Sequence, residues 1–211
     1  MPAALVSATT CGMLQLAAQS LDSSAPGEVL KQVNQTLLSR IPPNMFVTCL
    51  YAILDPKSGT LIYANAGHDL PYLHRTSGEA EELRATGMPL GLMPGMSYEE
   101  KETTLEAGEA ALFYTDEIVE AHNPKGEMFG FPRLIALVAR YGKQGALGER
   151  LLEELYSFTG GGGVGAGGRH NPPYPKTPFG CEPPNAPKCG AQSGGGRAST
   201  SGWLSLRWTS S

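Results

Sequence analysis

Residues 45–66 constrain the fold more than any other stretch. Met45–Leu54 is apolar and rich in β-favouring residues, and Thr60–Ala66 is a second run of the same kind. Between them, Asp55-Pro56-Lys57-Ser58-Gly59 carries turn chemistry. The three together specify a β-hairpin. A lone hairpin is marginal in water, so the flanking residues have to cover it.

They have the patterns to do so. Residues 3–20 predict a helix rich in small residues (Ala3, Ala4, Ser7, Ala8, Gly12), able to pack closely on a sheet. Residues 26–41 predict a second helix, with Pro26 in its first turn and Ser23 or Ser24 as its cap. Leu30, Val33, Leu37 and Ile41 make its apolar stripe, and Pro42-Pro43 ends it. After the hairpin, Gly67-His68-Asp69 breaks the pattern. Pro71–Arg75 reads as a short strand, Glu81–Arg84 as an edge strand, and Gly87–Gly95 as a loop anchored by Leu90 and Leu92. Tyr98–Leu105 reads as an exposed strand and Ala110–Asp116 as a buried one, with Asp116 at its carboxyl end. Pro132–Tyr141 and Leu147–Phe158 carry helical stripes. Two helices, about six strands and two helices give an α+β fold, with antiparallel hairpins covered by helices on both outer faces.

Residues 159–211 differ in kind. They hold 13 of the 27 glycines and 7 of the 17 prolines with few aliphatics, which predicts disorder. They also carry five basic residues against Glu182, leaving residues 1–158 at −8 within a net −4. An acidic body argues against nucleic acid as partner. No stretch reaches the roughly 18–20 apolar residues of a membrane span, and Met1–Leu5 lacks the positive start of a secretory signal. The expected location is cytoplasmic. Cys11 and Cys49 sit in helix and strand patterns as ordinary small apolar groups. Cys181 and Cys189 lack the tight pairs and further ligands of a zinc site.

Asp116 is the candidate for chemistry, since a carboxylate at the rim of a sheet suits a hard divalent cation. Several further stretches point the same way. They are Pro2-Ala3-Ala4-Leu5, Pro42–Thr48, Tyr63-Ala64-Asn65-Ala66-Gly67-His68, Gly87–Leu92, Tyr114-Thr115-Asp116 with Val119-Glu120-Ala121, and Phe129-Gly130. In this order they resemble the PPM-type metal-dependent protein serine/threonine phosphatases, in their bacterial SpoIIE-like, sigma-factor-regulating branch. The resemblance spans 1–158 and implies an αββα sandwich. It implies two Mn²⁺ or Mg²⁺ ions held by aspartates, Asp116 among them, and a water activated for attack on phosphorus. It places Asn65, Gly67, His68 and Glu117 at the site rim, Glu117 standing where the family has Gly. The implied substrate is a phosphoserine or phosphothreonine protein such as a STAS-type anti-sigma-factor antagonist.

Two of the family's three metal motifs are absent. An Asp ahead of the Pro-Ala-Ala-Leu helix would precede Met1, which implies truncation at the N-terminus. No Asp-Asp-x-Thr occurs in 159–211. The alternative is therefore a non-catalytic pseudophosphatase module or an inactive fragment. One reading restores the third motif. Val164–Pro172 permits the codons GTG GGA GCA GGA GGA CGA CAT AAC CCT, and dropping the first base gives Trp-Glu-Gln-Glu-Asp-Asp-Ile-Thr. The tail is accordingly expected to be out of frame from the glycine tract Gly160–Gly163 onward.

Overall fold

The computed structural model describes residues 3–20, 25–43, 45–144, 146–161 and 201–210. The hairpin forms as expected. Strands β1 (Met45–Leu54) and β2 (Thr60–Ala66) pair antiparallel, from Leu54 opposite Leu61 to Cys49 opposite Ala66. The turn is closed by Asp55, whose carboxylate accepts from the Lys57 N–H at 3.0 Å and the Ser58 hydroxyl at 2.8 Å.

Burial explains why β1 is apolar at successive positions. Val47, Cys49, Tyr51 and Ile53 join the core under two helices, α1 (Ala3–Ser20) and α2 (Pro26–Leu37). Leu50 and Ala52 face the other way, into a core with Leu61, Tyr63, Leu73 and Leu83. That second core lies between two sheets. The first has the order β5-β2-β1-β7, with β5 Glu100–Thr104 and β7 Ser201–Ser210. The second has the order β4-β3-β6, with β3 Tyr72–His74, β4 Ala80–Glu82 and β6 Ala110–Leu112. A third core covers the second sheet's outer face. There Tyr72 meets Leu134, Leu137 and Val138 of α4 (Gly130–Tyr141), and Leu147 and Leu151 of α5 (Leu147–Phe158). The layers run helix, sheet, sheet, helix. The α+β, αββα expectation holds for this body.

Charge marks the edges. β5 reads Glu100-Lys101-Glu102-Thr103-Thr104 and is mostly exposed, which blunts an outer strand against further pairing. Arg75 ties the two sheets together just past β3. Its guanidinium donates to Glu81 at 2.6 Å, to Glu109 at 3.0 Å, to the Thr104 carbonyl at 2.8 Å and to the Thr103 hydroxyl at 2.9 Å.

Four expectations change. Helix α2 ends at Leu37, short of Ile41, although Ile41 stays buried and continues the stripe through a turn. Its N-cap is Ala25, which makes no side-chain cap bond; Ser23 and Ser24 lie outside the described residues. Only Ala110–Leu112 of the run to Asp116 is strand. Finally, the disorder expected throughout 159–211 does not extend to Ser201–Ser210, which pairs with β1 along its whole length, Met45 opposite Ser210 to Leu54 opposite Ser201. An unpaired β1 edge would leave a row of backbone groups unsatisfied, and Trp203, Leu204, Leu206 and Trp208 give this segment strand propensity. Residues 162–200, with Cys181, Cys189 and Val164–Pro172, lie outside the described residues.

Candidate active site

Asp116 is the first residue of a one-turn helix, α3 (Asp116–Val119), four residues beyond the end of β6. Thr115 is its N-cap, in extended conformation, and the Glu120 N–H donates to the Asp116 carbonyl at 2.8 Å. Asp116 is buried, 7% exposed, whereas Glu117 beside it is exposed. The candidate carboxylate is thus carried by a turn of helix rather than by a strand end.

The segment leading to it is anchored twice. Tyr114 stacks on Tyr72 of β3 with ring centroids 6.0 Å apart. Burial, with Tyr72 and Asp69 adding to it, pushes the Tyr114 phenol well above the ordinary range and keeps it neutral. The Tyr114 backbone carbonyl meets His68 Nε2 at 3.1 Å. The other ring nitrogen, Nδ1, lies 3.3 Å from the Thr48 hydroxyl of β1.

The loop that presents His68 is closed by Asn65. Its side-chain amide donates to the His68 carbonyl at 2.8 Å, and its side-chain oxygen accepts from the His68 N–H at 2.7 Å. Gly67 stands between them at φ 71°, where a Cβ would lie 2.8 Å from Pro89 Cγ. Pro89 belongs to the Gly87–Gly95 loop, itself fixed by two devices. Val47 and Leu90 exchange backbone hydrogen bonds of 2.9 and 2.8 Å. Asn34 of α2, fully buried, donates to the Met93 carbonyl at 2.9 Å and accepts from the Gly91 N–H at 2.7 Å.

The structure therefore brings Asn65, Gly67, His68 and Asp116 together at one end of the sandwich. They differ in exposure. Asn65 is 2% and His68 7% exposed, because both direct their polar atoms inward; Gly67 is at the surface. Sequence reasoning missed Thr48, Tyr114 and Asn34. Thr48 was findable as a hydroxyl interrupting an apolar strand and Asn34 as a polar residue within the stripe of α2, whereas the role of Tyr114 rests on its backbone carbonyl, which no side-chain pattern shows.

Among the described residues no three His, Cys, Asp or Glu side chains converge on a point that could hold a metal ion. Asp116 alone does not fit a two-ion centre, which needs several oxygen ligands per ion. Among the described helices, none is long and apolar enough to cross a membrane.

Residues 1–165 match the family described as Stage II sporulation protein E (SpoIIE). The chain belongs to the SpoIIE family. Within reach of that family, it is 30% identical over 118 residues to Protein IcfG of Synechocystis sp., covering 56% of this chain and 19% of that protein. It is 28% identical over 117 residues to the phosphoserine phosphatase RsbU of Bacillus subtilis, covering 54% of this chain and 35% of RsbU. The SpoIIE-family chain thus spans about a third or less of these relatives' lengths. The crystal structure of the RsbU and RsbW domains of a Mycobacterium tuberculosis protein superposes with TM-score 0.63 at 25% identity, over 74% of this chain and 44% of that one. The SiaA-PP2C domain of Pseudomonas aeruginosa superposes with TM-score 0.63 at 20% identity, over 74% and 63% respectively. The fold is that of PP2C-type phosphatase domains.

Proposed function

We propose that this domain serves phosphoserine or phosphothreonine hydrolysis on a regulatory protein of the anti-sigma-factor-antagonist type, STAS-folded, with Asp116 as one ligand of a Mn²⁺ or Mg²⁺ centre. The observation that carries the reading is Asp116 itself: a buried carboxylate held at the end of a two-sheet sandwich of PP2C type. The likeness to a phosphoserine phosphatase supports the substrate class. Among the described residues no group of three or more His, Cys, Asp or Glu side chains completes such a centre. The shifted reading of Val164–Pro172 would supply two adjacent aspartates, and sequencing the gene through the glycine tract decides it. A reproducible frame without a slip rejects that source of ligands.

Hydrolysis is tested with p-nitrophenyl phosphate and a phosphoserine peptide in the presence of Mn²⁺. Turnover that Asp116→Asn abolishes, with unchanged thermal stability, supports the reading. Turnover that survives Asp116→Asn rejects it.

A second reading is a pseudophosphatase that binds the phosphoprotein without turnover. That no three His, Cys, Asp or Glu side chains converge among the described residues favours it, as does Glu117 in the place of a family glycine. Partner binding without Mn²⁺-dependent turnover would select it.

A further inference from the structure

We propose that His68 is the positioning residue for Asp116, acting through the backbone carbonyl of Tyr114; this rests on the reading of Asp116 as the site's carboxylate. A carbonyl oxygen only accepts, so at 3.1 Å the His68 Nε2 carries the hydrogen and donates it. In the neutral ring Nδ1 is then the acceptor, and the Thr48 hydroxyl at 3.3 Å is its donor. The tautomer follows from the neighbours.

The connection matters because of what it joins. Thr48 lies on β1 in the first sheet, and Tyr114 follows β6 in the second. His68 spans the two sheets at the end where Asp116 emerges. Between β6 and α3 only residues 113–115 intervene. Their course is fixed on one side by the ladder of β6 with β3 and on the other by His68. The ring has little freedom of its own, because Asn65 holds the His68 backbone at both N–H and carbonyl. Asn65 is packed closely against Gly87, where a Cβ would fall 2.1 Å from the Asn65 carbonyl oxygen. A chain of rigid contacts thus ends on the peptide two residues before Asp116. Groups that orient a functional carboxylate from behind typically cost about 10–100-fold in affinity or activity when removed.

The test uses the full chain as wild type, His68→Phe, His68→Gln and Thr48→Val. Phe keeps a ring and loses both hydrogen bonds. Gln keeps a donor for the Tyr114 carbonyl. The first readout is amide hydrogen exchange. The expected result is exchange about tenfold faster at residues 114–120 in His68→Phe, with β1 and β2 unchanged, and restoration by His68→Gln. Thr48→Val, which leaves the Nε2 bond in place, gives a smaller rise at the same amides. Unchanged exchange at 114–120 in His68→Phe overturns the proposal. So does an equal rise throughout β1 and β2, or failure of Gln to restore. If His68→Phe does not fold, Gln and Thr48→Val decide by the same amides. The second readout is Mn²⁺-dependent hydrolysis of p-nitrophenyl phosphate, where His68→Phe lowers kcat about tenfold at constant KM and Gln recovers it. A wild type without turnover rejects hydrolysis alone, and the exchange result still decides the role of His68.

Discussion

Replacing Arg75 with Met tests how the two sheets are held at the end away from Asp116. The guanidinium makes four hydrogen bonds there. The one to Glu81 is worth little, since that carboxylate is 50% exposed. The one to Glu109 is different, because the Glu109 side chain is 3% exposed. A hydrogen bond to a buried charge contributes roughly 1.5–3 kcal/mol, and the two neutral bonds to Thr103 and Thr104 roughly 0.5–1 kcal/mol each. Met retains the packing of the aliphatic stem. The expected loss is about 3 kcal/mol, or roughly 6–12 °C in Tm for a chain of this size. Urea unfolding followed by far-UV circular dichroism measures it. Arg75→Met with Glu109→Gln should recover about 1–2 kcal/mol, because no carboxylate is then left buried without its cation. Acid gives an independent check. Burial opposes the charge on Glu109, but the Glu106 and Thr76 N–H groups and Arg75 outweigh it and hold the carboxyl below its ordinary 4.5. A lowered carboxylate stabilises fully above the unfolded value and loses that contribution as pH falls through the folded one. The gap between wild type and Arg75→Met should therefore hold from pH 7 down to about 4.5 and narrow only below that, as pH falls through the folded value. A loss under about 1 kcal/mol, or a gap independent of pH, would refute the reasoning.

Two further outcomes are expected. Gly87→Ala should cost at least about 2 kcal/mol, since its Cβ would fall 2.1 Å from the Asn65 carbonyl oxygen and 2.8 Å from Tyr98 Cδ1; Gly12→Ala, with open space in the middle of α1, should instead gain roughly 0.5–1 kcal/mol, and equal effects from the two would refute the contact argument. With Cys181 and Cys189 replaced by Ser, a thiol reagent should label Cys11 in the native protein and Cys49 only after denaturation, because Cys49 is fully buried and burial, then the nearby Cys11, pushes its thiol up; rapid native labelling of both would contradict the packing of β1.

The body of the fold was legible because its elements are long and each has a clear buried side. Val47 to Ile53, the stripe of α2 and the leucines of α4 and α5 repeat often enough to define period and face. What escaped was short or non-periodic. The single turn of α3 contains too few residues to show a helical period, so Asp116 read as the end of the strand before it. The stripe of α2 ran past its helix because Ile41 stays in the core after the chain has left helical geometry. The candidate site was legible only as residue types. Asn65, Gly67, His68 and Asp116 could be named from their motifs, but the inward direction of Asn65 and His68 could not. It depends on a carbonyl 46 residues away and on a hydroxyl across the hairpin. Strand β7 escaped for another reason: composition describes a segment, while a strand also needs a vacant edge, and that edge belongs to β1.

β1 is hydrogen-bonded on both sides, to β2 and to β7, and its two faces belong to different cores. Because side chains alternate with a period of two, inserting or deleting one residue within Met45–Leu54 would exchange Leu50 and Ala52 with Cys49 and Tyr51 between those cores while breaking both registers. Length changes there should be lethal to folding. The turns at Ser77-Gly78 and Ala107-Gly108, where added atoms meet open space at each glycine, are where an epitope or fluorophore peptide can be inserted with the site end of the molecule left undisturbed.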